Sequence, residues 1–208
     1  MNKDKARLLE ILKKQMEKDS SLPLKKVATQ LVFGDGDPDS EILLIGEGPG
    51  YWEDIKGIPF VGNAGAFLNQ LLNFAGLDRK RVYITNVIHY RPPQNRDPEP
   101  SEIQAFQPYL DKIIEIVEPK IVVTLGRFSM GKFLPNAKIT SVHGKKFSVG
   151  WKVTNLVIVP MYHPAAGLRN PEVKFQTIED FKKLPLILKE VEDEDKNKIE
   201  ETEQMKLV

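Results

Sequence analysis

Cysteine is absent from the 208 residues. That excludes disulfides, zinc sites built on thiolates, a cysteine nucleophile and a cysteine-held iron–sulfur cluster. Histidine occurs three times, so a metal site would have to rest on carboxylates, and none is expected. Long apolar runs are missing too, since none approaches the roughly 20 residues that span a bilayer. Met1 opens on Asn2, Lys3, Asp4 and Lys5 in place of an apolar signal segment, so a cytoplasmic protein without membrane attachment is expected.

What is present reads as a globular chain. With 41% hydrophobic and 28% charged residues, the composition supports one sizeable core. A single domain is expected over 1–192, opening with an amphipathic helix within 1–20 (Leu8, Leu9, Ile11, Leu12, Met16), with a charged tail over 193–208 that is either a frayed helix or disordered. The net charge of +1 hides an uneven spread: the interval 119–171 has no Asp or Glu but holds Lys120, Arg127, Lys132, Lys138, Lys145, Lys146, Lys152 and Arg169. Sharing one face, these cations would attract a phosphate backbone; scattered, they are solvated surface residues. The sequence leaves both readings open.

Four nearly continuous apolar runs, Ile42–Ile45, Val82–Ile88, Ile121–Leu125 and Leu156–Val159, are strand candidates. Helical patterns separate or follow them at Ala64–Ala75, Ser101–Val117, Arg127–Leu134 and Phe175–Val191, with Ser101 as an N-cap. A hairpin is expected over Ile139–Val149 with Gly144 at its turn. Alternating buried strands and helices predict an α/β fold, a three-layer α/β/α sandwich around a central four-stranded parallel sheet.

In such a sheet ligands bind beyond the carboxyl ends of the strands. Gly46-Glu47-Gly48-Pro49-Gly50 follows the first strand and lets backbone N–H groups approach a ligand closely, although it is neither a Rossmann nor a Walker motif. Phe60, in the same loop, is either a stacking platform or a core plug. Asn86 ends the second strand, and its amide both donates and accepts, as the edge of a nucleobase does; it could equally bond neighbouring backbone. His163 opens a loop containing Leu168 and Arg169 after the fourth strand, and is either functional or a satisfied interior histidine.

Together these loops resemble family 4 of the uracil-DNA glycosylase superfamily. The resemblance runs through Gly46–Gly50, Glu53-Asp54, Gly57–Gly65, Asn86, Arg91–Arg96 and His163–Pro171. It implies a DNA-repair enzyme that everts uracil from single- or double-stranded DNA and hydrolyses its N-glycosidic bond. It implies that Phe60 stacks on the base, that Asn86 bonds its O4 and N3 edge, and that His163 faces O2 as a neutral donor. Backbone around Glu47, Gly48 and Pro49 would complete the pocket, Glu47 positioning water and Glu53 lying near C5. Arg91, Gly167, Leu168 and Arg169 would contact DNA. The family's four-iron, four-sulfur cluster is not expected, because the corresponding positions are Asp19, Leu22, Tyr90 and Phe106. Tyr90 and Phe106 are expected to touch in its place. Two alternatives are a noncatalytic uracil-DNA binder and a nucleotide-binding module; a monomer is expected.

Overall fold

The computed structural model describes the backbone of residues 3–152 and 154–206 and the side chains of 4–152 and 155–197. In chain order the elements are α1 (Lys3–Lys18), β1 (Asp35–Gly36), β2 (Ile42–Gly46), α2 (Tyr51–Lys56), α3 (Asn63–Phe74), β3 (Tyr83–Asn86), α4 (Pro100–Val117), β4 (Ile121–Leu125), α5 (Arg127–Gly131), α6 (Ile139–Val142), β5 (Phe147–Trp151), β6 (Thr154–Met161), α7 (Pro164–Arg169), α8 (Pro171–Lys182) and α9 (Leu184–Lys206). Single 3₁₀ turns lie at Arg79–Arg81 and Pro93–Asn95.

The four predicted strands form the parallel centre of the sheet, in the order β3-β2-β4-β6. Antiparallel edges, β1 on β3 and β5 on β6, extend it to a mixed sheet of six strands among the described residues. Successive residues of β2 face opposite ways, as strand pleating requires. Leu43 and Ile45 join Met16, Phe106, Leu110 and Ile113 on one face, whereas Ile42 and Leu44 join Phe67, Leu68, Val123 and Phe181 on the other. The result is the expected α/β/α layering.

Several boundaries depart from the sequence expectation for identifiable reasons. The hairpin is β5–β6, turning between Trp151 and Thr154 with Lys152 at φ 51°. Gly144 instead ends a loop after α6, where its N–H donates to the Pro160 carbonyl at 2.8 Å. The N-cap of α4 is Glu99, not Ser101: Pro100 tolerates the first helical position, and the Glu102 carboxylate accepts from the Glu99 N–H at 2.8 Å. The helix after β4 stops at Gly131. Phe175–Val191 is divided between α8 and α9 at Lys183, just before Pro185, which cannot donate within a continuous helix. The charged tail is helical through Lys206; its last two residues and the side chains beyond 197 lie outside the described residues.

His89, three residues past the end of β3, is fully buried, its ring 6.1 Å from Phe33 and 5.7 Å from Phe106. The Thr85 hydroxyl donates to the Phe33 carbonyl at 2.8 Å, so the His89 Nε2–H must donate to Thr85 Oγ1, 3.1 Å away. Nδ1 is left without a partner, and burial pulls the pKa down to about 3. Tyr90 packs against Phe106 with ring centroids 6.1 Å apart, the expected contact.

Two predictions follow from this core. Phe106→Ala should lower unfolding free energy by about 3–5 kcal/mol, read by chemical denaturation, because it opens a cavity among His89, Tyr90 and Leu110. An unfolded histidine titrates near 6.5 and takes up a proton that the folded core refuses down to about 3. Stability should therefore fall as pH drops below 6.5, by on the order of 2 kcal/mol from His89 at pH 5. Melting temperatures at pH 7 and pH 5 measure this, and His89→Gln should remove its share of the fall and make the dependence shallower.

Candidate active site

The loops after β2, β3 and β6 converge on a cavity of about 360 Å³ lined by Glu47, Gly48, Pro49, Glu53, Phe60, Asn86, His163 and Arg169. Parallel pairing of β2 with β3 sets Gly46 beside Asn86. A Cβ on Gly46 would collide with both Asn86 Oδ1 and the Phe60 ring, so glycine is what allows amide and ring to close over the strand end. Asn86 is 1% exposed, and its Oδ1 has no protein partner. A buried amide oxygen without a partner is costly unless a ligand supplies a donor.

Phe60 is buried with φ at 54°, a left-handed conformation that a bulky residue rarely adopts. Both sides of the loop hold it there. The Arg79 guanidinium donates to the Pro59 carbonyl at 2.7 Å and to the Phe60 carbonyl at 3.1 Å. One Glu53 oxygen accepts from the Val61 and Gly62 N–H groups, both at 2.8 Å. Gly65 lets the Phe60 carbonyl lie where a Cβ would otherwise sit. Glu53, read from sequence as a base contact, thus reaches the cavity wall while anchoring the Phe60 loop. Arg79 was missed; its basic neighbours Lys80 and Arg81 make it look like one more surface cation.

His163 faces Phe60 with ring centroids 5.6 Å apart and a 30° tilt. Its Nδ1 accepts the Ala165 N–H at 3.2 Å, capping α7. Burial, assisted by Arg169, pulls its pKa down to about 4, so at neutral pH the ring is uncharged and its proton resides on Nε2. Glu47 has one oxygen fixed by the Phe128 N–H at 3.0 Å, and burial raises its pKa, which strengthens it as a proton acceptor. A side chain at Gly48 would strike Ile88, so this part of the wall is backbone.

At the rim, Arg169 lines the cavity and Leu168 is 48% exposed. Gly167 departs from the expected DNA contact: it is buried, pressed against the Phe67 ring and the backbone of Lys174. Arg91 lies outside the cavity wall, bonded through Nε to Asn95 Oδ1 at 2.7 Å and stacked over Tyr51. The acid-free interval does not form one open cationic face. Lys120 pairs with Glu41 and Glu192, Arg127 with Asp97, Lys132 with Asp111, Lys146 with Glu190 and Glu194, and Lys152 with Glu115.

The positions that the family pattern assigns to cluster cysteines do not fit an iron–sulfur group. Leu22, Tyr90 and Phe106 fill one apolar core, and the Asp19 carboxylate accepts from Tyr109 Oη at 2.7 Å and from Ser21. Among the described residues no group of three or more His, Cys, Asp or Glu side chains could hold a metal ion, and no helix is long and apolar enough to cross a membrane.

The chain is 45% identical over 182 residues to a type-4 uracil-DNA glycosylase of Sulfurisphaera tokodaii, covering 85% of this chain and 83% of the relative. It is 42% identical to the type-4 enzyme of Saccharolobus solfataricus, over 85% of this chain and 84% of that one. For the Thermotoga maritima type-4 enzyme the identity is 36%, covering 88% and 95%. Residues 33–184 match the family model described as the uracil DNA glycosylase superfamily, and the chain belongs to that superfamily.

Proposed function

We propose that the protein hydrolyses the N-glycosidic bond of uracil in DNA, releasing free uracil and leaving an abasic site. The observation that carries this reading is the unpartnered Asn86 Oδ1, buried in a cavity that also holds a ring and a neutral histidine donor. Uracil presents an N3–H donor beside its O4 acceptor, which an asparagine amide matches with Oδ1 and Nδ2. Cytosine has an acceptor at N3 and a donor at C4, so the same amide orientation rejects it.

The base must leave the stack to reach this depth. In the proposed pose uracil lies on Phe60 with its O2 toward His163 Nε2–H. As the C1′–N1 bond breaks, its electron pair passes to the base and spreads onto O2, while the sugar becomes cationic. A neutral donor held in a dry site stabilises that charge without solvent reorganisation. Water adds to C1′, and Glu47, whose second oxygen is not tied to Phe128, orients it and takes its proton. Arg169 and Leu168 at the rim, with Arg91 behind the Asn95 loop, contact the DNA flanking the vacated position. We further propose that the protein acts as a monomer in the cytoplasm without a cluster, on single- and double-stranded DNA, as one domain over 1–192.

Release of free uracil from labelled single- and double-stranded oligonucleotides by the cysteine-free protein tests the whole reading. A strand that is shifted without product would indicate a noncatalytic binder, and preference for a mononucleotide would indicate a nucleotide module. His163→Ala should slow excision about 10²-fold by removal of one preorganised donor. Asn86→Ala should slow it at least about tenfold; single-turnover rates at saturating protein measure both. Arg79→Lys keeps the charge but loses the fork that spans two carbonyls, and should lower kcat/KM about tenfold.

A further inference from the structure

We propose that Tyr51 and Trp52 form a stacking platform outside the cavity for a base adjacent to the everted uracil, so that the protein grips the strand by its bases as well as its phosphates. The inference rests on the uracil-excision reading of the cavity. Gly50, the N-cap of α2, lines the cavity, and Glu53 of the helix also lines it, so its first turn is continuous with the rim. Its outer face is apolar and open: Tyr51 is 49% exposed, Trp52 54% and Ile55 45%.

The two rings are ordered against each other edge to face, with centroids 5.1 Å apart. Arg91 stacks over Tyr51 with its guanidinium carbon 5.1 Å from the ring centre, and its Nε is held by Asn95, another cavity-lining residue. Trp52 comes close to Gly62 in the loop that carries Phe60. Covering large rings that are half open to water is favourable, most of all by a flat ligand that can stack on them. The nucleotide next to an everted base is tethered to it through a single phosphate, so its base cannot leave the vicinity of the rim. Its sugar-phosphate falls beside Arg91, whose charge complements it. Every base has a π-face, so such a platform binds without reading sequence. This pairing of aromatic rings with a cation suits single-stranded DNA, where the neighbouring base is free to unstack.

The test compares uracil-containing single strands that differ only beside uracil, with normal bases on both sides, or with an abasic tetrahydrofuran unit on the 5′ side or the 3′ side. Uracil release gives KM and kcat, and anisotropy of a labelled strand gives Kd. For the natural sequence, removing the base on one side should raise KM and Kd at least about fivefold. The Tyr51→Ala/Trp52→Ala variant should show that loss on the normal strand and should no longer respond to the missing base. Tyr51→Phe/Trp52→Phe, which keeps the rings, should restore most of the affinity. Equal values on all three strands for the natural sequence would overturn the platform, as would an alanine variant that binds and responds like the natural sequence. A protein that releases no uracil yet shows the flanking-base dependence in anisotropy would refute excision and leave the platform standing. A lower mass in solution for the alanine variant, with unchanged strand affinity, would assign the surface to a second copy of the chain and overturn the proposal.

Discussion

The site depends on one strained residue held in place from outside. Phe60 adopts a left-handed backbone that costs on the order of 1–3 kcal/mol for a non-glycine residue. Arg79 and Glu53 offset that cost by tying the carbonyls before the bend and the N–H groups after it. Without those ties the ring would relax away from Gly46, and Asn86 would lose the wall that keeps water from its amide. Arg79 is in turn drawn toward Asp35 of the edge strand, 3.7 Å away, and bonded to Asn69 of α3 at 3.0 Å. The platform is thereby referenced to the sheet and to the helix covering it, rather than to the loop alone.

Dryness is the second requirement, and it acts on the titratable groups in one direction. Burial pulls His89 and His163 toward neutrality and pushes Glu47 toward protonation. For His163 that outcome suits the chemistry, because a neutral donor fixed by the Ala165 N–H meets a developing anion without first binding a proton. For His89 it has no catalytic use. Its ring fills space between Phe33 and Phe106, at the cost of acid sensitivity and of an unpartnered Nδ1. The two histidines differ less in environment than in what lies in front of them: an aromatic core for one and an open cavity for the other.

The parallel centre of the sheet was legible because its strands are buried on both faces and read as unbroken apolar runs. Edge strands gave no such signal: β1 is two residues long, and β5 alternates between half-buried and exposed positions. Gly144 marks a turn of positive φ beside Asp180, but it lies before β5, and the hairpin itself turns at Lys152, whose positive φ no residue type announces. Phe60, Asn86 and His163 were legible because each sits where a strand or its loop ends at the carboxyl edge of the sheet. Arg79 was not, since its partners are backbone carbonyls twenty residues away and no side-chain pattern marks them. Nor could sequence show that the cations of 119–171 meet carboxylates contributed by other elements; that is a property of the folded surface.

The region that the family pattern reserves for a cluster shows how ordinary side chains fasten the same segments. The stretch after α1 must lie against α4 to complete the layer over Leu43 and Ile45, and closing a connection of about ninety residues carries an entropic cost that grows only slowly with length. A few specific contacts therefore suffice. Leu22 and Met16 supply apolar burial, Tyr90 and Phe106 pack at a tilt, and Tyr109 donates to Asp19 across that separation. Ser21 and Tyr109 together hold the Asp19 carboxylate below its ordinary pKa, so the link is strongest when that group is charged. It weakens only as the pH falls below the ordinary carboxylate range, after the buried histidines have begun to destabilise the fold. The fastening is thus less acid-sensitive than the core it closes, and the loop that runs from Tyr90 to Asn95 beside the cavity is anchored at its start by the packing of Tyr90 on Phe106 and by the Val32 N–H, which donates to the His89 carbonyl at 2.9 Å.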